Sequence, residues 1–259
     1  MKNHAAWLGV LILLFPMASA YGAGVELSIG GWHQTPSGTI SYKGVDADDD
    51  IDIKDDLKYE SESRIMGRIK VDTPLMLPNI YVLAAPMDFE GTGRKDVDFT
   101  FGDIDFSQGV DFKSKITLNQ YDAALYYAVP GVKTATAGKL NIDFGLNARF
   151  VDFSSEITGR EATTNTTVTE KESLAVVIPM VYASVQIMPV ERFAIEAELR
   201  GISISGDSLY SFIGRLRVKL AGPAFIAGGY RYDTLDIDEE DVKVEARFGG
   251  PFLELGVKF

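Results

Sequence analysis

The chain has few residue types with which to do covalent chemistry. It holds two histidines and no cysteine. His4 falls in a leader described below, so His33 is the one candidate general base of the mature chain. His33 follows Trp32, with Ser37 and Ser41 close by in sequence. A serine activated by a histidine that an acid or amide orients is the arrangement used for acyl transfer. No Gly-x-Ser-x-Gly elbow surrounds any serine, and a lone histidine at a strand end is more often a surface residue. A lipid-modifying enzyme built on His33 is therefore the third reading, and no catalytic residue is assigned.

Metal and phosphate chemistry have even less to work with. Asp46 to Asp56 carries seven aspartates in eleven residues. A calcium loop of the Asp-x-Asp-x-Asp-Gly form is not met, because Asp48, Asp50 and Asp52 are followed by Ile53. The stretch reads as a solvated loop. There is no glycine-rich phosphate loop ahead of a helix, so no metal or cofactor is expected.

The remaining charge is regularly spaced. Arg64, Arg68 and Lys70 alternate with apolar residues, as do Asp122, Asp143, Arg149, Glu196, Glu198, Arg200, Arg215, Arg217, Lys219, Arg231, Asp233, Glu254 and Lys258. Period two is the strand period. Leu140 to Phe150 is the clearest case, with every even residue apolar and Asn141, Asp143, Gly145, Asn147 and Arg149 between them. Phe193–Gly201, Tyr210–Leu220 and the closing Pro251–Phe259 repeat the pattern. Leu174–Ile187 is apolar on both faces, so its register cannot be read. Val242–Phe248 is apolar at even positions and the last strand at odd ones, which predicts a bulge at Gly249-Gly250-Pro251. Gly102-Asp103 is placed to turn a hairpin.

A strand with one apolar and one charged face fits either a soluble sandwich or a membrane barrel turned inside out. The N-terminus separates the two. Residues 1–23 read as a secretory signal peptide, with Lys2, the apolar run Ala5–Phe15 and the small-x-small site Ala18-Ser19-Ala20. Cutting after Ala20 or after Ala23 would both suit it. No cysteine follows to carry a lipid anchor. Loss of Lys2 leaves 24 basic against 37 acidic residues, a net charge near −13, which argues against nucleic acid as a partner. Connections alternate between tight Pro/Gly turns (after Val71, Ala128, Ile187 and Leu220) and longer polar loops, the rhythm of inner turns and surface loops. Tyr42, Tyr81, Tyr121, Tyr127, Tyr210, Tyr230 and Tyr232 suit aromatic girdles.

These features predict an all-β chain: an antiparallel transmembrane β-barrel of about ten strands, with eight as the alternative, over residues 24–259. A barrel this small is filled by its side chains. Charges of both signs on neighbouring strands predict a polar plug, with Glu196, Glu198 and Arg200 facing Arg215, Arg217 and Lys219 across one hairpin.

Gly30-Gly31-Trp32 through Pro36-Ser37-Gly38, Asp55-Asp56-Leu57, Pro74-Leu75-Met76-Leu77-Pro78-Asn79 and the closing Gly250-Pro251-Phe252…Phe259 resemble a family of small bacterial outer-membrane β-barrel proteins. The resemblance spans the mature chain and implies this fold, export and residence in the Gram-negative outer membrane. It carries no activity and no site residue. It also implies that the strand ending in Phe259 is read by the barrel-insertion machinery. The expected role is a non-enzymatic structural or surface barrel. The alternative is a narrow channel or binding barrel for a small, even apolar, solute. Expected partners are outer-membrane lipid and lipopolysaccharide, and the expected state is a monomer.

Overall fold

The computed structural model describes residues 24–44, 49–74, 76–161, 163–164, 166–239 and 242–259. The leader, with both of its expected cleavage points, lies outside the described residues, as do Asp46 and Asp48 of the acidic stretch.

Strand β1 (Gly24–Tyr42) is followed by a two-residue β2 (Ile51–Asp52) and by β3 (Glu62–Asp72). Next come β4 (Asn79–Ala85), β5 (Asp88–Arg94), the short β6 (Phe99–Phe101) and β7 (Ile104–Phe106), and β8 (Asp111–Ala128). A single helical turn α1 (Val132–Ala135) leads to β9 (Leu140–Arg160), β10 (Thr167–Val190), β11 (Phe193–Ile204), β12 (Asp207–Ala221), β13 (Ala224–Glu239) and β14 (Val242–Lys258). Neighbouring wall strands pair antiparallel in chain order, and β14 closes on β1 from Glu26↔Lys258 to Tyr42↔Val242. β4 and β5 pair with β8 in one continuous register, Ala85↔Gln120 and then Asp88↔Thr117, and so form one wall strand interrupted at Pro86-Met87. Proline has no N–H to give the ladder. The barrel thus has ten wall strands, as the sequence predicts.

Gly24, Phe259 and the connections 73–74, 76–78, 129–139, 191–192 and 222–223 lie at one end. The described residues between β1 and β3, β5 and β8, and β9 and β10 lie at the other, which we call the outer end. The short–long rhythm holds only in part: the inner connection 129–139 runs to eleven residues, and the outer one between β11 and β12 is short. β11 and β12 meet at the outer end through Ser205 (φ 56°) and Gly206 (φ 110°), a two-residue turn with two positive φ angles that matches strand twist. The Gly102-Asp103 hairpin forms between β6 and β7.

The wall changes character along its height. On β9, Leu140 to Phe150 presents its even residues outward, with Leu146 72% exposed, while Asp143, Asn147 and Arg149 are buried inside. Eleven tilted residues are what a strand needs to cross the hydrocarbon layer. From Val151 the phase inverts. Val151, Phe153 and Ile157 point in, and Asp152, Ser154 and Glu156 point out, with no break in pairing to β8 or β10. β14 does the same. Leu253 and Leu255 face outward, whereas Ala246 and Phe248 are buried inside. Its register with β1 and β13 runs unbroken through Gly249-Gly250-Pro251, so the predicted bulge does not exist. The slip in hydrophobic phase marks where lipid gives way to water outside the wall. Below that level the apolar side must face out, and above it the apolar side must face in. No shift of the backbone is needed.

Tyr121, Tyr127, Tyr210, Tyr230 and Tyr232 face outward as expected of girdles, and Tyr121 lies 6.1 Å from Phe150. Tyr81 does not; it is buried in the lumen. Tyr42 also points inward, against Phe101.

Candidate functional site

Within the membrane-level half the lumen is crossed by ion pairs. Arg215 on β12 reaches Glu26 at 2.5 Å, Glu196 at 2.6 Å and Glu254 at 2.9 Å. Arg217 adds a 3.0 Å contact to Glu196, and Lys258 one of 3.4 Å to Glu26. Glu198 on β11 accepts from Arg68 at 2.8 Å, Lys70 at 2.7 Å, Arg200 at 3.1 Å and the Tyr81 hydroxyl at 2.9 Å. Arg200 lies against the rings of both Tyr81 and Tyr182, 4.7 and 5.1 Å from their centroids. Just above, Arg149 grips Asp122 with two 2.9 Å bonds. Arg231 holds Asp233 by two bonds, at 3.2 and 2.7 Å, donates to Gln120 at 2.8 Å and lies 4.4 Å over the Trp32 ring.

Ring order gives these contacts their meaning. β3 and β11 are five strands apart in either direction around a ten-strand wall, so Arg68–Glu198 bridges the full diameter. β8 and β13 are likewise opposite, and Gln120–Arg231 is a second diametric bridge. Buried charge persists only when paired and hydrogen-bonded. The predicted charge plug is therefore present in this half. Two details differ. Glu198 pairs across the lumen rather than with the facing strand of its hairpin, and Lys219 is exposed and makes no ion pair among the described residues. Glu26, at the centre of the Arg215 cluster, was not among the sequence candidates. Its alternation with Val25 and Leu27 was the signal for it.

The outer half of the lumen is not a charge plug at all. Residues 49–61 fold inward, burying Ile51, Ile53, Leu57 and Tyr59 in the mouth. Tyr59 stacks on Phe89 at 6.2 Å, and Phe89 on Phe248 at 5.8 Å. Burial pushes the Tyr59 phenol above its ordinary range, so it stays neutral. The β6–β7 hairpin packs beside this segment through Phe99 and Phe106, 5.2 Å apart. Between this packed side and the wall of β9, β10, β13 and β14 lies an apolar cavity of about 170 Å³. A polar vestibule of about 520 Å³ opens at the inner end, lined by Lys70, Asp72, Asn141 and Asp143 among others. No residue lines both spaces.

The acidic stretch is partly structural. Asp52 accepts from the backbone N–H of Lys54 (2.8 Å) and Asp55 (2.6 Å), and Asp49 from that of Thr100 (2.6 Å). These bonds shape the inward segment. Among the described residues no three metal-ligating side chains converge.

His33 lies on the outside of the wall. Its Nδ1 is 3.0 Å from Ser63 Oγ on β3, an exposed pair. Neither Ser37 nor Ser41 is its partner. Next to this pair, Thr35 and Ser61 hydroxyls meet at 2.8 Å. The row is a strip of small polar groups at the outer edge of the apolar belt, where alternation places Ile29 and Ile65 just below.

The sequence matches no family model and no curated protein. Solved structures do match its fold. The outer-membrane protease OmpT of Escherichia coli aligns over 91% of this chain and 97% of its own, with a TM-score of 0.60 and 8% identity. The translocator domain of the autotransporter NalP from Neisseria meningitidis aligns over 93% and 91%, with a TM-score of 0.45 and 11% identity. Ail of Yersinia pestis aligns over 92% and 99%, at 0.32 and 10%. At such identities the likeness is one of fold. The chain is an outer-membrane-type β-barrel.

Proposed function

We propose that this protein is a non-enzymatic surface barrel of the Gram-negative outer membrane, closed to ions and hydrophilic solutes, whose working end is the outer one. One observation carries this reading: two opposed bridges cross the lumen, Arg68–Glu198 where it traverses the hydrocarbon layer and Gln120–Arg231 at that layer's outer edge. An ion passing inward would have to displace partners that are buried and mutually bonded, at a cost of several kcal/mol. Lipid and lipopolysaccharide surround the belt. The insertion machinery reads β14 and the Phe259 that follows it, which exchanges backbone bonds with Val25.

The test is single-channel recording of the refolded protein in a planar bilayer. The reading expects silence from protein whose folded state is verified by its shift in gel migration on boiling. Discrete, reproducible openings would overturn it. The enzyme alternative rests on His33 and its hydrogen bond to Ser63. It requires a lipid-hydrolysing or acyl-transfer activity that His33→Ala and Ser63→Ala both abolish without altering the gel shift.

A further inference from the structure

We infer that the outer half of the lumen is a binding site for one small neutral hydrocarbon, of the size of a single substituted benzene ring. The inference goes beyond the closed-lumen reading, because it concerns the space above the ionic bridges and holds whether or not those bridges conduct.

Size is the first ground. The cavity measures about 170 Å³. An engineered interior cavity of about 150 Å³ lined by Leu, Ile and Phe stays dry and takes up benzene. Lining chemistry is the second. Tyr42, Phe101, Phe153, Val176, Ile178 and Val244 all turn their side chains to this space. Leu174, at an inward position of β10, remains 58% exposed. Apolar residues left open on the inward face have lost burial worth about 25 cal/mol per Å². A hydrocarbon would restore it.

The two carboxylates at the edge of the space are already engaged. Asp233 is held by Arg231 and by the Ser211 hydroxyl at 2.6 Å, and Glu172 takes the Tyr42 hydroxyl at 3.5 Å. The Ser155 hydroxyl, also at the lining, is buried and has no hydrogen-bond partner among the described residues. A charged or strongly hydrated ligand would have to give up its water for one hydroxyl at most. Three phenylalanines, Phe101, Phe153 and Phe248, line the space, and ring–ring contacts at 4.5–7 Å favour an aromatic ligand over an alkane of equal size.

The wall also leaves this space open on one side. β11 and β12 end at the Ser205-Gly206 turn, level with Ile178 on β10. β10 continues from Val177 back to Thr167 paired only to β9. The notch this leaves in the wall lies beside Leu174 and Val176, and would admit a small molecule from outside without unfolding the inward segment.

The experiment uses the full mature barrel in phosphatidylcholine nanodiscs, with methyl-labelled Leu, Val and Ile and toluene as probe. Saturable shifts of the Leu174, Val176 and Ile178 methyls are expected, together with contacts from toluene ring protons to them. Benzoate should leave them unmoved. Val176→Trp should weaken the response at least tenfold, and Val176→Glu should abolish it, each in protein that keeps its gel shift. Should Val176→Trp fail to fold, Leu174→Glu, at an exposed site, serves in its place. Shifts confined to lipid-facing methyls such as Leu146 and Leu253, linear in toluene, would overturn the inference. So would a lipid acyl chain in contact with Leu174 that toluene does not displace. Conductance is read separately, so the closed-lumen reading can fail while this site stands.

Discussion

Removing the Glu198 carboxylate is the perturbation that tests the ionic layer most directly. Glu198 is 2% exposed and takes Arg68 at 2.8 Å, Lys70 at 2.7 Å, Arg200 at 3.1 Å and the Tyr81 hydroxyl at 2.9 Å. In Glu198→Ala three cations would lose the carboxylate they share. Of these, Arg68 keeps a 3.3 Å contact to Glu254, and Arg200 keeps its two tyrosine rings. Breaking a buried pair by deleting one partner costs about 3–5 kcal/mol, and stranding the Tyr81 hydroxyl adds about 1–3 kcal/mol. Solvent entering the gap offsets part of this, so a net loss of about 4 kcal/mol is expected. With a urea dependence of roughly 2 kcal/mol per M, the unfolding midpoint should fall by about 2 M. Glu198→Gln keeps an acceptor for Arg68 and Tyr81 while removing the charge, and should lose about half as much. The assay is urea unfolding in lipid vesicles, read by the loss of the folded band on unboiled gels. Single-channel recording should show openings in Glu198→Ala that the parent lacks. A loss below about 1 kcal/mol, with a silent bilayer, would mean that the layer neither braces nor seals the barrel.

Other outcomes follow from the same geometry. Asp122→Leu and Arg149→Met should each cost about 3–5 kcal/mol singly and much less together, because the pair is buried and bidentate; additive losses in a double-mutant cycle would refute the pairing. Leu146→Arg, at the middle of the apolar belt, should cost about 2–4 kcal/mol, while Asp152→Arg, three outward positions higher on the same strand, should cost close to none. Equal losses at the two sites would place the membrane boundary elsewhere. Deleting Phe259 removes its 2.9 Å backbone bond to Val25 and the end of the closing strand, and should lower the amount of assembled barrel in outer-membrane fractions of expressing cells; unchanged assembly would remove the role given to that residue.

Most of the wall was legible in the chain itself. Alternation is a local property, and on Leu140–Phe150 or Pro251–Phe259 it needs no neighbour to be seen. Strand number, the turns at one end, the hairpin at Gly102-Asp103 and the mixed-sign charges within the barrel all followed from it. Register along Leu174–Ile187 did not. Its inward face changes from Tyr182 and Met180 to Ile178, Val176 and Leu174, and a strand apolar on both faces carries no phase.

What the chain could not state is which solvent lies outside each segment. Val242, Val244, Ala246 and Phe248 looked out of step with Leu253 and Leu255, and a bulge was the local explanation. The closed wall supplies the other one. Hydrophobic phase is defined against the medium, and the strands rise out of lipid into water partway along their length. Partners across the lumen are equally beyond local reading. Arg68 and Glu198 are 130 residues apart, and only the closure of β14 on β1 sets them opposite one another. The sequence determined that a barrel forms and that charge fills part of it. Tertiary structure decided that the ionic bridges across the lumen stop at the membrane's outer edge and that an apolar cavity lies above them, because both depend on where a closed wall meets its two solvents.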